Sequence, residues 1–275
     1  MDKKRKLLIK LLPAAILIFA TDIQARPDLA IAVARSHGWG NASTRDIQKV
    51  LESVADELLE NVSSVGRLSI IVRFDARGPR TLYKREKNGE FIVWLNVVDR
   101  RWAQFSYQFG HELSHILTIN QKNTTTPNQW FEESLGETAS LFAMRRMADT
   151  WSVTPPYENW RSYSGSLRTY IDEQYAEEHR KLPPGTSFKK WFKANEPGMR
   201  ADPYLRDKDE LAANQLLAYF ENYAGSWDAV TYLNRSNANS SQSFKSYLEN
   251  WYRNAPSRHK PFIREIGNLF GKRIR

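Results

Sequence analysis

The chain has 275 residues, of which 41% are hydrophobic and 12% aromatic, and its formal net charge is +9. This composition can fill a sizeable core and is not that of an intrinsically disordered protein, and the lack of cysteine excludes disulfides, thiolate metal sites and cysteine nucleophiles. No aromatic–basic pattern or known module in the sequence suggests nucleic-acid binding, and the positive charge is densest in the tail KPFIREIGNLFGKRIR. We interpret it as a solvated surface rather than a docking site for an acidic partner.

The first 25 residues have the layout of a secretory signal peptide. A basic start precedes an apolar run of about a dozen residues and a short polar stretch that ends at Ala25. The sequence therefore predicts a periplasmic or secreted protein that is cleaved after Ala25. The alternative is an uncleaved segment that anchors the protein in a membrane, and no other membrane contact is predicted. No cysteine lies near the cleavage region, which excludes a lipoprotein.

A helix and a small sheet are predicted next. Apolar residues at helical spacing predict an amphipathic helix within residues 41–62. The β-branched run RLSIIVRF, residues 67–74, predicts a buried strand. Within residues 80–98, the pair Asn88-Gly89 predicts a hairpin of two further strands, because this dipeptide favours the tight turns that join antiparallel strands.

Two long helices follow the predicted sheet. An apolar stripe predicts the first over residues 99–119, and a polar connector separates it from the second. Thr126, Pro127 and Gln129 are typical of a cap, a first-turn proline and a capping-box partner. The second helix is therefore predicted over residues 127–146.

The pattern becomes entirely helical beyond residue 150. No strand is predicted there, and helices are predicted at 162–180, 186–194, 208–224, 226–233, 241–254 and 259–271. The predicted fold class is α+β. A core at residues 26–150, with a small and mainly antiparallel sheet packed on the two long helices, precedes an all-helical C-terminal lobe at residues 151–275 that completes a cleft.

The stretch FGHELSHILT carries two of the five histidines. His111 and His115 lie four residues apart and so share one face of a helix, where both rings can bind one ion. Glu112 lies about 100° round the helix from His111, within reach of a water on that ion. This H-E-x-x-H spacing supplies two zinc ligands and a general base. The alternative is an ordinary amphipathic helix with two partly buried histidines.

The second long helix offers the third ligand that a hydrolytic zinc site needs. Glu133 and Glu137 lie one helical turn apart in QWFEESLGETASLFAM, so both can face the first helix. A shared ion would explain their burial, because unpaired buried charges are costly. We favour Glu133 as the ligand over Glu132, which lies further from the face set by Leu135 and Phe142.

His111-Glu112-x-x-His115, followed after 17 residues by Glu133 and then Glu137, resembles the gluzincin branch of zinc metallopeptidases. This branch includes thermolysin-like and aminopeptidase-like enzymes. The resemblance implies one zinc ion per chain, with His111, His115 and Glu133 as ligands and Glu112 as the general base. It also implies that Glu137 orients a ligand histidine without binding the metal.

The resemblance covers roughly residues 66–146 and implies a zincin-like core. WFEESLGE is similar to the segment around the aminopeptidase glutamate, and the order of strand, hairpin and helix is similar to the minimal gluzincin core. The Gly-x-Met-x-Asn motif of the aminopeptidases does not occur upstream of His111, so aminopeptidase specificity is not implied. The third histidine of the metzincins is also absent after His115.

Such a mechanism also needs a donor for the oxyanion of the tetrahedral intermediate. Tyr204 and Arg206 are candidates because they lie in the polar segment MRADPYLRDKDE, just before a predicted helix. Tyr223, Tyr232 and His259 are further candidates. For each residue, plain packing or a surface position is the alternative interpretation.

The leading hypothesis is a periplasmic or secreted zinc peptidase with a peptide or protein substrate. Residues 93–97, VWLNV, are either an edge strand that pairs with an extended peptide or an internal core strand. The first alternative function is an inactive zincin-fold protein that binds a peptide or an envelope partner. The second is a helical envelope protein without metal. An intact Glu112 argues against the inactive protein, since a binding module needs no base, and the oligomeric state stays open.

Overall fold

The computed structural model describes residues 26–118, 126–236 and 241–275, which fold into a small sheet and nine α-helices. This arrangement confirms the predicted α+β class. The predicted signal peptide and its membrane-anchor alternative lie outside the described residues. Across the three described ranges, no helix combines the length and the apolar character that a membrane crossing requires.

The sheet has four strands in the order β1-β2-β4-β3. Strand β1 pairs parallel with β2, and β2 pairs parallel with β4, while only β3 and β4 are antiparallel. The prediction of a mainly antiparallel sheet is therefore wrong. The strands are β1 Leu29–Val33, β2 Leu68–Phe74, β3 Arg80–Leu82 and β4 Phe91–Leu95.

The parallel pairs arise from two crossovers. Helix α1, Thr44–Leu59, connects β1 to β2 and packs on β1, as a parallel pairing requires a long connection. The chain then passes from β2 to the edge of the sheet and forms β3 there. It returns as β4, which lies between β2 and β3. Strand β1 was not predicted, because its five residues are too few for a clear alternation.

The predicted hairpin is confirmed for β3 and β4. Leu82 pairs with Ile92 at its closed end, and a longer connection than a two-residue turn joins the strands. Within that connection, the Gly89 amide donates to the Glu86 carbonyl at 2.9 Å, and the Glu86 amide donates to the Glu90 carbonyl at 2.9 Å. Gly89 has φ +90°, a conformation that favours glycine.

Strand β3, rather than β4, lies at the sheet edge. Since β4 is enclosed by β2 and β3, the interpretation of residues 93–97 as an edge strand is wrong. Thr81 in β3 joins this edge to the first long helix, because its hydroxyl donates to the Glu112 carbonyl at 3.0 Å.

The other long elements of the described chain are helices. The six predicted C-terminal helices are confirmed with shifted ends, and the described residues after 126 contain no strand. The helices after α1 are α2 Trp102–Thr118, α3 Gln129–Val153, α4 Tyr163–Ala176, α5 Phe188–Ala201, α6 Arg206–Glu221, α7 Ser226–Val230, α8 Phe244–Asn254 and α9 Lys260–Leu269.

Helix α3 is the central element of the fold. It is apolar or buried on nearly every side and packs against α1, α2, α4 and α6. It begins at Gln129, two residues later than predicted, and a turn precedes it in which the Thr126 hydroxyl accepts from the Asn128 amide at 3.2 Å. It also continues through the predicted domain boundary at residue 150. One buried apolar cluster extends from Ile31 to Ile274, with members in both predicted parts of the chain.

A buried carboxylate links the end of the chain to its beginning. Asp228 Oδ1 accepts from the amides of Ser63 and Ser64, both at 2.9 Å. Its Oδ2 accepts from Arg258 Nη2 and His259 Nε2, both at 2.8 Å. Four donors from two distant segments thus meet on one side chain, which is almost fully buried.

Candidate metal centre

The centre forms where α2 and α3 approach closely. A Cβ atom on Gly110 would lie 3.0 Å from the Cα of Ser140, so glycine is needed for this separation. The Ser140 hydroxyl donates to the Tyr107 carbonyl at 2.7 Å and ties the two helices together. Polar side chains that point inward from these two helices are therefore forced into contact.

The three predicted zinc ligands converge at this contact. Glu133 Oε2 lies 3.3 Å from His111 Nε2 and 3.7 Å from His115 Nε2. One ligand atom of each residue lies within 4.8 Å of the other two. A tetrahedral zinc with bonds of about 2.1 Å separates neighbouring ligand atoms by about 3.4 Å, so the donor set and its spacing fit this metal.

Glu137 holds the other nitrogen of His111. Its Oε1 lies 3.3 Å from His111 Nδ1, which leaves Nε2 directed at Glu133. The Tyr107 hydroxyl donates to Glu137 Oε2, and Arg180 Nη2 lies 3.4 Å from the same oxygen. This is how a carboxylate fixes the tautomer and the orientation of a metal-binding histidine.

The charged form is favoured for Glu133 and Glu137, and these carboxylates in turn favour the protonated form of the two histidines. Burial acts to raise the pKa of Glu133, but hydrogen bonds from His111 and His115 outweigh it and hold the pKa well below its usual range. Burial also opposes ionisation of Glu137, yet His111 and Tyr107 lower its pKa to about 2. Although burial acts to lower the pKa of both histidines, the carboxylates raise it, so metal binding has to displace protons.

Glu112 is placed differently from the other acidic residues. It is only 4% exposed, and its Oε2 has no hydrogen-bond partner. Its side chain reaches the same cavity as the three converging ligands. A carboxylate oxygen that is free in this position is available to accept a proton.

The centre lies in a cleft of about 840 Å³. One wall comes from β3, the floor from α2 and α3, and the opposite wall from the helical C-terminal half. Tyr204 and Arg206, the predicted oxyanion donors, both lie on this opposite wall. The Tyr204 hydroxyl accepts from Gln129 Nε2 at 2.9 Å, and Arg206 Nε donates to Glu210 at 2.6 Å.

The other three candidate donors lie elsewhere. Tyr223, Tyr232 and His259 do not line the cleft, so they are not oxyanion donors of this site. Tyr223 donates to the Arg258 carbonyl at 2.8 Å, and His259 is bound to Asp228. These hydrogen bonds join segments of the C-terminal half.

A second cluster of ligand-type residues lies behind the cleft wall. Glu177, His179 and Glu210 also bring their ligand atoms within 4.8 Å of one another. Arg180 Nη2 lies 3.2 Å from Glu210, however, and Arg206 binds its other oxygen. Two guanidinium groups already neutralise this carboxylate, so the cluster is an ion-pair network.

Three residues that shape the site were not predicted from the sequence: Asp209, Arg180 and Gly136. Asp209 lies in the first turn of a helix, where acidic residues are common for electrostatic reasons alone. Arg180 belongs to a charged segment between helices, and nothing local indicates its burial. For Gly136, only the position of the facing helix reveals the need for glycine.

Gly136 on α3 provides the space that the His111 ring occupies. A Cβ atom at this position would lie 2.6 Å from Cε1 and 2.7 Å from both ring nitrogens. We therefore expect Gly136→Ala to reorient His111 and to reduce zinc affinity about 10- to 100-fold, the usual effect of a misoriented ligand. Competition titration with a zinc-binding dye measures this change.

Gly165→Ala is the matched control, because a Cβ atom there meets nothing within 4 Å in the exposed first turn of α4. Alanine favours helices, so neither variant is expected to lose helix content. Equal zinc affinity of Gly136→Ala and the unchanged protein would contradict the proposed position of His111.

No protein-family model matches the chain, and searches of curated proteins and of solved structures also found no match. The interpretation of the centre therefore depends on its own residues and their geometry.

Proposed function

We propose that this protein is a zinc-dependent peptidase of the gluzincin type, built on a zincin-like core and exported by its N-terminal segment. The observation that carries the proposal is the convergence of His111 Nε2, His115 Nε2 and Glu133 Oε2 at distances suited to tetrahedral zinc. All three residues line the cleft, so a fourth position on the metal would face the substrate.

Zinc, when bound, would supply a Lewis acid that polarises the scissile carbonyl and lowers the pKa of water. Glu112 Oε2 accepts a proton from the attacking water and delivers it to the leaving nitrogen. Glu137 keeps His111 in the orientation that leaves Nε2 free. Tyr204 and Arg206 remain candidates for the donor that meets the oxyanion.

The shape of the cleft supports a peptide substrate. Strand β3 is an edge strand, and residues 79–81 and Tyr83 line one wall. An extended peptide can pair with the main chain of such a strand, which aligns a peptide bond along the cleft. The volume of about 840 Å³ suits several residues of an extended chain.

The zinc content of purified residues 26–275 tests the metal site. We expect one zinc per chain by elemental analysis, and its loss in His115→Ala and in Glu133→Ala. Glu132→Gln is the matched control: Thr118 and Tyr247 bind this carboxylate, each with a hydroxyl 3.3 Å away, and it is not part of the converging group. No zinc after reconstitution in excess metal would refute the proposal.

A peptide-library digest tests the activity. Mass spectrometry should detect cleavage products that disappear when a chelator removes the metal. A protein that holds zinc but cleaves no peptide would instead support an inactive zincin-fold binder. Amino-terminal sequencing of the exported protein tests the localisation, and we expect the mature chain to begin at Arg26.

A further inference from the structure

Asp209 is a buried carboxyl group without a partner. The residue is 2% exposed, and its Oδ1 has no hydrogen bond. No ion pair reaches the side chain from the residues that the structure describes. Buried polar groups are nearly always hydrogen-bonded, and an unpaired buried carboxylate is especially costly. Such a carboxyl stays protonated until a cation from outside the chain pairs with it.

This side chain faces the cleft beside the metal centre. Asp209 lies in the first turn of α6 and lines the cavity together with Tyr170 of α4. It is not part of the group whose ligand atoms converge within 4.8 Å. Its position is therefore that of a neighbouring subsite rather than of a fourth protein ligand.

The surroundings of Asp209 disfavour a negative charge that has no counter-ion. Burial raises its pKa to about 9, and the negative charges of Glu133 and Glu137 act in the same direction. Glu210 adds to this effect, while His111 opposes it. Burial is the largest of these causes, and a cation paired with the carboxyl would offset it, so binding of a cation favours the ionised form of Asp209.

The two nearby arginines contact other carboxylates. Arg206 Nε binds Glu210 Oε1 at 2.6 Å, and Arg180 Nη2 lies near Glu210 Oε2 and Glu137 Oε2 at 3.2 and 3.4 Å. Neither guanidinium pairs with Asp209. Arginine side chains therefore pair with Glu137 and Glu210, whereas Asp209 in the cleft wall has no counter-ion among the described residues.

Building on the proposed peptidase function, we propose that Asp209 binds a positively charged nitrogen of the substrate and so selects peptides with a cation next to the scissile bond. Three sources share this chemistry: a lysine side chain, an arginine side chain and a free amino terminus. A charged hydrogen bond to a buried carboxylate discriminates against neutral analogues by about 10- to 100-fold.

Peptide binding tests the proposal without requiring turnover. Fluorescence polarisation with zinc-loaded Glu112→Gln protein compares a lysine peptide with its norleucine analogue, an arginine peptide with its citrulline analogue, and a free with an acetylated amino terminus. We expect at least one cationic member to bind about 10-fold or more tightly than its neutral partner, and Asp209→Asn to abolish the difference. The pair that responds identifies the source of the charge.

Asp207→Asn is the matched control, since it removes an exposed carboxylate from the same turn of α6. It should keep the preference for cations. Equal binding of all three pairs by Glu112→Gln protein, or a preference that survives Asp209→Asn, would overturn the proposal. So would a uniform fall in kcat for neutral and cationic peptides in Asp209→Asn alone, because it would identify Asp209 as a protonated acid.

The outcome separates this proposal from the peptidase proposal. A chain that prefers cationic peptides but holds no zinc, or cleaves none of them, would retain the Asp209 subsite and lose the peptidase function. Cleavage without any preference for charge would retain the peptidase function and exclude the Asp209 subsite.

Discussion

Glutamine in place of Glu112 is expected to lower kcat on cleavable peptides by about 10²- to 10⁴-fold, the usual contribution of a general base. Glutamine has the same size as glutamate but cannot accept the proton. Because Glu112 Oε2 makes no hydrogen bond in the folded protein, its loss leaves no other group unpaired. Zinc content should therefore stay at one ion per chain. Steady-state kinetics and elemental analysis on the same sample measure both quantities.

Glu173→Gln is the matched control, because it removes an equal charge from an exposed position on α4. It should leave kcat unchanged. Retained activity in Glu112→Gln would show that another group takes the proton. A loss of zinc in that variant would show that Glu112 shapes the metal site, and its role as a base would then need a separate test.

Methionine in place of Arg180 is expected to destabilise the fold by about 3–5 kcal/mol, the usual cost of leaving buried charges without their partner. The Arg180 side chain is fully buried, and a single nitrogen, Nη2, contacts Tyr107 at 2.8 Å, Glu210 at 3.2 Å and Glu137 at 3.4 Å. Methionine fills much of the volume, but it removes the one cation that contacts both Glu137 and Glu210. Urea unfolding monitored by tryptophan fluorescence measures the change.

Arg168→Met provides the comparison. Arg168 Nη2 lies 2.6 Å from Asp149 Oδ1 at the protein surface, and both side chains are more than half exposed. Exposed pairs of this kind contribute at most about 1 kcal/mol. If the two variants were equally stable, the carboxylates near Arg180 would have to reach water or take up protons when it is removed. That result would rule out a structural role for the network behind His111.

The metal-ligand prediction relied on spacing within single helices. His111 with His115, and Glu133 with Glu137, each lie four residues apart, and helical geometry alone puts each pair on one face. The structure brings three of these side chains to one point because α2 and α3 are adjacent in sequence and pack directly together. Local periodicity was sufficient to predict that these side chains meet, and the hairpin followed from an equally local signal.

The sheet could not be predicted in the same way. Whether β2 and β4 are parallel depends on where the chain inserts β4, and no residue within either strand encodes that order. The position of β3 at the edge depends on the same choice. Asp209 and Arg180 have a similar origin, because their burial is created by helices that are distant in the sequence.

Asp228 gives this cysteine-free chain a reversible cross-link. It joins Ser63 and Ser64 to Arg258 and His259, and so closes a loop that includes most of the fold. Burial acts to raise the pKa of Asp228, but its donors hold it well below the usual range. The stabilisation is complete above the unfolded pKa of about 3.9 and is lost as the pH falls towards the folded value. Unlike a disulfide, this cross-link needs no oxidant to form, resists reductants, and opens only in strong acid.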